Sequence, residues 1–253
     1  MLGQNTFMPT IYIFPTGDNS YLKVTLTPQA RRNIGIIEHS GHLNVKPELR
    51  EMIRQAGGVL HIGAHEGQEA PFYNECDVPV IWVEALPNKY QFLNMFLANY
   101  PKQEAICALL GTSNTQQVDF HVSDNNAASS SIHKPIPGPD SLFTMVESIS
   151  LEMKRLDSLF SQEKIARYRH WVIDVQGAEL DVLKGTGELL RHCDSLIIEA
   201  KRVSSYQGGS TWDELVVFLA NAGLVPLWQI GEHDEDNAYF LRVKDRIIVR
   251  GNS

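Results

Sequence analysis

Gly63, Ala64, His65 and Gly67 sit where an apolar run, Gly58-Val59-Leu60-His61-Ile62, stops on a Gly-x-x-x-Gly turn and a polar helix start. Glycine permits backbone conformations and close approaches that a Cβ forbids, and a following helix presents unpaired N–H groups and the positive end of its dipole. The next apolar run, Val80-Ile81-Trp82-Val83, ends on Glu84. That is about 20 residues after the turn, where a carboxylate can accept both hydroxyls of a ribose. Together the two features predict a nucleotide-cofactor site. The turn alone fits any strand-to-helix connection.

A second chemical region lies further along. The mostly apolar stretch His170-Trp171-Val172-Ile173 ends on Asp174 and is followed by Val175-Gln176-Gly177-Ala178-Glu179. Open α/β sheets place ligands at the carboxyl ends of their strands, so Asp174 and Gln176 are expected to face that crevice. Asp174 has a second reading as a cap for the next helix. Ser195-Leu196-Ile197-Ile198 again ends on an acid, Glu199, with Lys201 just beyond. In a parallel sheet Glu84, Asp174 and Glu199 share one rim. Between the two regions, Asn125-Asn126-Ala127-Ala128-Ser129-Ser130-Ser131, with His133 and Lys134, offers many short polar groups. A functional loop and a plain surface loop both fit it.

The elements that must position these residues follow a βαβ rhythm from Val59 onward, which predicts a doubly wound, mostly parallel sheet. Strands are expected at 58–62, 79–84, 104–110, 170–174 and 195–199, and helices at 66–76, from Pro87, at 178–191 and at 211–222. Gly223 stops the last helix. Tyr90, Leu93, Phe96 and Leu97 recur at helical spacing and read as core. An alternating strand holds Val118, Phe120 and Val122, and two β stretches close the chain at 224–230 and 237–249. Residues 1–54 read as an amino-terminal extension, with short β pieces at Thr10–Phe14 and Leu22–Leu26, packed on a main domain of residues 55–253.

With 253 residues, 43% hydrophobic and 21% charged, the chain suits one large globular domain. Its formal charge of −8 argues against a phosphate-binding face, so no nucleic-acid partner is expected. The pairs Arg31-Arg32 and Lys201-Arg202 read as solvated surface. Three scattered cysteines suggest neither a disulfide framework nor a zinc knuckle. No stretch approaches the length of a membrane span, and Met1-Leu2-Gly3-Gln4 lacks a secretion signal, so a cytoplasmic protein is expected. The residues specify no oligomeric state.

In combination these segments resemble the FkbM-type S-adenosylmethionine-dependent methyltransferases over roughly residues 55 to 245. The carriers are Leu60 to Glu69, Trp82-Val83-Glu84-Ala85-Leu86-Pro87, the serine-rich loop, Leu156-Asp157-Ser158-Leu159, and Ile173 to Glu179 with Val182-Leu183-Lys184-Gly185. The resemblance implies a class I methyltransferase fold, a Rossmann-like seven-stranded sheet with an antiparallel last strand and helices on both faces. By the same resemblance Gly63, Ala64, His65 and Gly67 wrap the amino-acid end of S-adenosyl-L-methionine, Glu84 holds its ribose, and Ala85 and Leu86 flank the adenosine. Ala108 and Leu109 lie by the adenine, Gln176 and Asp174 face the methionine end and the acceptor, and the loop with Ser130 covers the site.

The implied reaction is O-methylation of a small-molecule or glycan hydroxyl, with Asp174 first and His133 second as general base. The chain departs from the family at His61, where an acid is common, which implies weaker cofactor binding. A metal pair of His61 and His65 crosses from strand to turn and has no third ligand, so no metal is expected. Two alternatives stay open: a methyltransferase fold that binds without turnover, and a nicotinamide-dependent oxidoreductase. Against the latter, the Gly-x-Gly-x-x-Gly spacing is not reproduced.

Overall fold

The computed structural model describes residues 11–15, 20–25, 47–138, 142–226, 235–243 and 246–250. The Arg31-Arg32 pair and residues 1–10 lie outside them, as do parts of the two closing β stretches. Among the described residues, the strands are β1 (Ile11–Pro15), β2 (Ser20–Thr25), β3 (Val59–Ile62), β4 (Val80–Glu84), β5 (Gln103–Cys107), β6 (Leu109–Leu110), β7 (Gln117–Ser123), β8 (Met145–Lys154), β9 (His170–Ile173), β10 (Ser195–Lys201), β11 (Leu224–Pro226), β12 (Glu235–Arg242) and β13 (Arg246–Arg250). The α-helices are α1 (Pro47–Ala56), α2 (Ala70–Cys76), α3 (Pro87–Leu97), α4 (Leu156–Leu159), α5 (Gln162–Ile165), α6 (Glu179–Lys184) and α7 (Trp212–Asn221), with a 3₁₀ turn at Gly187–His192.

Seven strands form the main sheet in the order β11-β12-β10-β9-β3-β4-β5. Pairings among β10, β9, β3, β4 and β5 are parallel, while β12 runs antiparallel to both its neighbours. From β3 the chain winds outward through β4 and β5, then returns beside β3 as β9 and winds the other way. The reversal opens a crevice beyond the carboxyl ends of β3 and β9.

Strands β3, β4 and β9 are buried throughout. Their alternate residues feed two cores, as the period of a pleated strand requires. Val59, Val80, Trp82 and Val172 pack with α1, α2 and α3; Leu60, Ile62, Ile81, Val83, Trp171 and Ile173 pack with α6 and α7. Helix α3 starts on Pro87, whose missing N–H costs nothing at a first turn. Leu93 and Leu97 are buried and Tyr90 and Phe96 half-buried, as a core stripe predicts. Strand β2 pairs with both β1 and β13, so the amino-terminal segment shares a sheet with the chain's last described strand.

Several expected elements are divided or shifted. The helix expected from residue 66 starts at Ala70, because His65 and Gly67 take left-handed φ values of 47° and 74°. The strand expected over 104–110 breaks at Ala108: β5 stays in the main sheet, while β6 pairs in parallel with β8. The helix expected over 178–191 ends at Lys184 and resumes as the 3₁₀ turn. A Cβ on Gly185 would lie 2.0 Å from the Gly111 carbonyl oxygen, so the chain pinches there. Strand β10 runs on to Lys201, which puts Glu199 inside the strand rather than at its end. Of the closing β stretches, β11 and β12 complete the main sheet, and β13 leaves it for β2.

Candidate active site

The glycine turn grips the sheet first. Gly63 and Ala64 donate their N–H groups to the Val83 carbonyl at 3.0 and 3.1 Å, and Asp174 donates to the Ile62 carbonyl at 3.0 Å. Gly63 has φ 86°, and a Cβ there would fall 1.7 Å from the Asp174 carbonyl oxygen. Only glycine therefore allows β3 and β9 to leave the sheet side by side. Glu84, 7% exposed, accepts the N–H of His65 at 2.8 Å on one oxygen and that of Leu86 at 2.9 Å on the other. Burial raises its pKa, and those two amides work against the rise. Each oxygen keeps a lone pair for a hydroxyl donor.

Beyond Glu84 a cleft encloses about 610 Å³ of empty space, its open mouth included. Gly63, His65, Glu84, Ala85, Leu86, Ala108, Leu109, Ser130, Asp174 and Gln176 all line it. Ala64, buried under the turn, and Gly67, packed toward Leu93, do not. The far wall comes from β7 and the loop after it, through Phe120, Ala127, Ala128 and Ile132.

The serine-rich loop is tied down at both ends. Lys89 donates to Glu66 at 2.7 Å and to the Asn126 side chain at 2.8 Å, and Asn126 itself donates to Glu66 at 2.9 Å. The Lys89 and Asn126 contacts hold the Glu66 carboxyl below the usual range. His65 Nε2 meets the Asn126 carbonyl at 2.8 Å. On the opposite side, Tyr206 donates to the Ser129 carbonyl at 3.0 Å. His133 lies outside the cleft lining, with Nε2 3.0 Å from Asp181 on α6, where it fastens the loop's exit.

Across the cleft from Glu84 is an acid rim. Gln176 donates from Nε2 to Asp174 Oδ1 and to Glu199 Oε2, each at 2.8 Å, and accepts from the Tyr206 hydroxyl at 3.1 Å. Asp174 and Glu199 are thus brought together, with Asp174 exposed and the Glu199 side chain 17% exposed. Burial, then repulsion from Asp174 and Glu179, pushes Glu199 up to about 9, with Lys201 Nζ 3.5 Å away opposing. Glu179 serves the turn: it accepts the amides of Val175 and Gly177 and the Ser210 hydroxyl, while burial raises its pKa.

His61 points into the core. It stacks on Trp82 with ring centroids 4.5 Å apart and meets the Tyr73 hydroxyl at 3.2 Å, and burial lowers its pKa to about 4. Among the described residues, no three His, Cys, Asp or Glu side chains are placed to hold a metal ion. Sequence reasoning missed Glu66, Lys89, Tyr206 and the role of Glu179. Tyr206 carried one signal, a lone aromatic in a Ser- and Gly-rich stretch just after an acid-bearing strand.

The strand order with its single antiparallel strand, the glycine turn at the reversal point and the strand-end carboxylate define a class I methyltransferase. Residues 61–225, well over half of the chain, match the methyltransferase FkbM domain. The protein belongs to that family, and its methyl donor is S-adenosylmethionine. No curated protein matches the chain.

Solved structures it is similar to include a TehB-like SAM-dependent methyltransferase from Corynebacterium glutamicum (9% identity, 85% of this chain and 95% of that one, TM-score 0.40). A precorrin-6y C5,15-methyltransferase from Geobacter metallireducens matches at 13% identity over 81% and 93%, with TM-score 0.38. The magnesium protoporphyrin IX methyltransferase of Synechocystis PCC 6803 matches at 7% over 85% and 92%, with TM-score 0.41. None of these is close enough for its chemistry to be carried to this chain.

The cleft suits the donor. Gly63 leaves room where a side chain would block the turn, Glu84 offers oriented acceptor oxygens, and Ala85, Leu86, Leu109 and Phe120 give an apolar slot.

Proposed function

We propose that the chain is an O-methyltransferase acting on a hydroxyl of a sugar, a glycan or a secondary metabolite. The observation that carries this reading is Asp174: an exposed carboxylate on the rim of the same cleft whose other end holds Glu84. An alcohol is a weak nucleophile until its proton leaves, and a positioned base contributes roughly 10² to 10⁴ in rate. When bound, S-adenosylmethionine supplies an electrophilic methyl group. Asp174 would receive the proton of the acceptor hydroxyl, leaving the O–H electron pair on oxygen for the bond to the methyl carbon, whose bond to sulfur would break with its pair staying on the departing thioether. Gln176 fixes the Asp174 carboxyl, Glu84 holds the ribose hydroxyls, and the serine-rich loop excludes water. Gly63, Ala64, His65 and Gly67 shape the turn around the amino-acid end, and Ala108 and Ser130 close the adenosine side. His133, held by Asp181, is assigned to the loop rather than to proton transfer.

Within the same reading, residues 55–253 form the methyltransferase domain and 1–54 an extension to it, supported by the pairing of β2 with β13. A cytoplasmic location fits the three free cysteines. Among the described residues no helix is long and apolar enough to cross a membrane. One observation favours binding without turnover: the buried, stacked His61 takes the place of the family's acid.

Incubating the chain with S-adenosylmethionine and parallel panels of sugars, phenols and amines, with S-adenosylhomocysteine release as readout, tests the proposal. Release with hydroxyl compounds that Asp174→Asn abolishes is expected. Release with amines alone contradicts the O-methyl assignment, and binding of the donor with no release by any acceptor class favours the non-catalytic reading.

A further inference from the structure

Gln176 has φ 55°, a left-handed conformation that costs a non-glycine residue about 1 kcal/mol or more and persists only where its surroundings over-determine it. What holds it is its own side-chain amide, whose nitrogen serves Asp174 and Glu199 and whose oxygen takes the Tyr206 hydroxyl. That hydroxyl has a single proton and two acceptors, Gln176 Oε1 at 3.1 Å and the Ser129 carbonyl at 3.0 Å. Ser129 belongs to the loop over the cleft, so one O–H group joins the cover to the acid rim.

The segment around Tyr206 also carries the end of the cover. Pro135 bridges Tyr206, Gln207 donates to the Lys134 carbonyl at 2.8 Å, and Ile136 donates to the Ser205 carbonyl at 2.8 Å. The ring is 1% exposed, with Phe143 beside it and Lys201 Nζ 5.8 Å from its centroid. A tyrosine fixed this firmly has little freedom to follow the loop when the loop moves. Lifting Ser129 therefore changes what the hydroxyl can bond, and with it the restraint on Gln176.

We propose that Tyr206 is a positioning residue for the acid rim: through the Ser129 carbonyl its hydroxyl registers whether the cover is seated, and through Gln176 it sets where the Asp174 and Glu199 carboxyls point. The proposal deepens the reading of Asp174 as the base and rests on it for its catalytic meaning. The link itself is a property of the ligand-free chain and is tested there. Charged and titratable groups facing the two carboxyls are Glu69, Glu179, Lys201, Tyr206 and His61.

The experiment compares wild type, Tyr206→Phe, Asn126→Ala and the double variant, without ligand, by amide hydrogen exchange and by unfolding as a function of pH from 6 to 9. Tyr206→Phe is expected to speed exchange of residues 124–131 roughly threefold to tenfold, as loss of one hydrogen bond implies. It is also expected to move the midpoint of the stability loss across that pH range. Asn126→Ala, which loosens the other end of the cover, is expected to move the same midpoint in the wild-type background and to leave it unmoved in Tyr206→Phe.

A merely structural tyrosine lowers the unfolding temperature and leaves the pH profile in place, and that result overturns the proposal. Should Tyr206→Phe fail to fold, Asn126→Ala alone decides: an unmoved profile overturns the link, a moved one supports it. Failure of the donor-site reading shows separately, as absence of S-adenosylhomocysteine binding by wild type.

Discussion

Glu84 lines the cleft and Glu199 lies behind its rim, bonded to Gln176, and the chain treats the two glutamates in opposite ways. Glu84 has two backbone amides on its carboxylate, one on each oxygen, and no second acid among the causes of its raised pKa. Glu199 faces Asp174 and Glu179 with one amide donor from Gln176 and Lys201 at 3.5 Å. The first arrangement sets a directed amide on each oxygen against the burial that raises the pKa. The second keeps a proton near neutral pH beside an exposed Asp174, as a site that takes up protons requires. One side chain type thus meets two electrostatic environments, set apart by its neighbours.

The sharpest way to break this contrast is at Asp174, the proposed base. Asp174→Asn is expected to lower turnover by roughly 10² to 10⁴ while S-adenosylhomocysteine affinity stays within a fewfold of wild type. Equal losses in turnover and affinity, measured by kinetics and calorimetry together, would place Asp174 with the donor instead.

Stability against pH sharpens the contrast from the other side. Burial depresses His61 and His170 to about 4, so their contribution is present above about 6.5 and is lost as pH falls toward 4. Each is worth on the order of 3 kcal/mol at the acid end. Glu199 has the opposite sign: its raised folded-state pKa favours the fold at low pH, and stability drains away as pH rises from about 4.5 toward 9. Chemical denaturation from pH 4 to 9 is expected to show both limbs, and Glu199→Gln to flatten the alkaline one alone. Glu84→Gln, which removes a carboxyl of raised pKa with no second acid beside it, is expected to flatten that limb less than Glu199→Gln, and an equal flattening by both variants would erase the difference between the two glutamates.

A smaller effect is expected at the cover. Asn126→Ala removes the side-chain contacts to Lys89 and Glu66 but not the backbone contact to His65. It should speed S-adenosylhomocysteine dissociation roughly threefold to tenfold in stopped-flow displacement, an amount set by one or two hydrogen bonds. An unchanged rate would mean that the loop does not gate the cleft.

How much of this was legible in the sequence depended on range. Strands β3, β4 and β9 are short apolar runs that stop on the residues facing the cleft, so Gly63, Glu84 and Asp174 could be placed from local pattern alone. The break at Ala108 could not, because residues 104–110 read as one strand and only the partner changes, from β4 to β8. Strand β8 itself alternates through Ile149, Leu151 and Met153, a signal of the usual kind. The pinch at Gly185 depends on Gly111, and the clamp of Glu66, Lys89 and Asn126 joins three separate segments. Neither leaves a mark in any window of the sequence. His61 was legible as a departure from the family, and only packing revealed that its ring lies in the core against Trp82.

Calorimetric titration of S-adenosylhomocysteine into wild type and Glu84→Ala tests the assignment of the cleft most directly. Wild type is expected to bind one equivalent. The variant should bind roughly 10- to 100-fold more weakly, as loss of a charged acceptor for two hydroxyls implies, with some fall in unfolding temperature because the His65 and Leu86 amides lose their partner. Equal affinity for the two proteins would contradict the placement of the ribose at Glu84, and absence of binding by wild type would contradict the donor site as a whole.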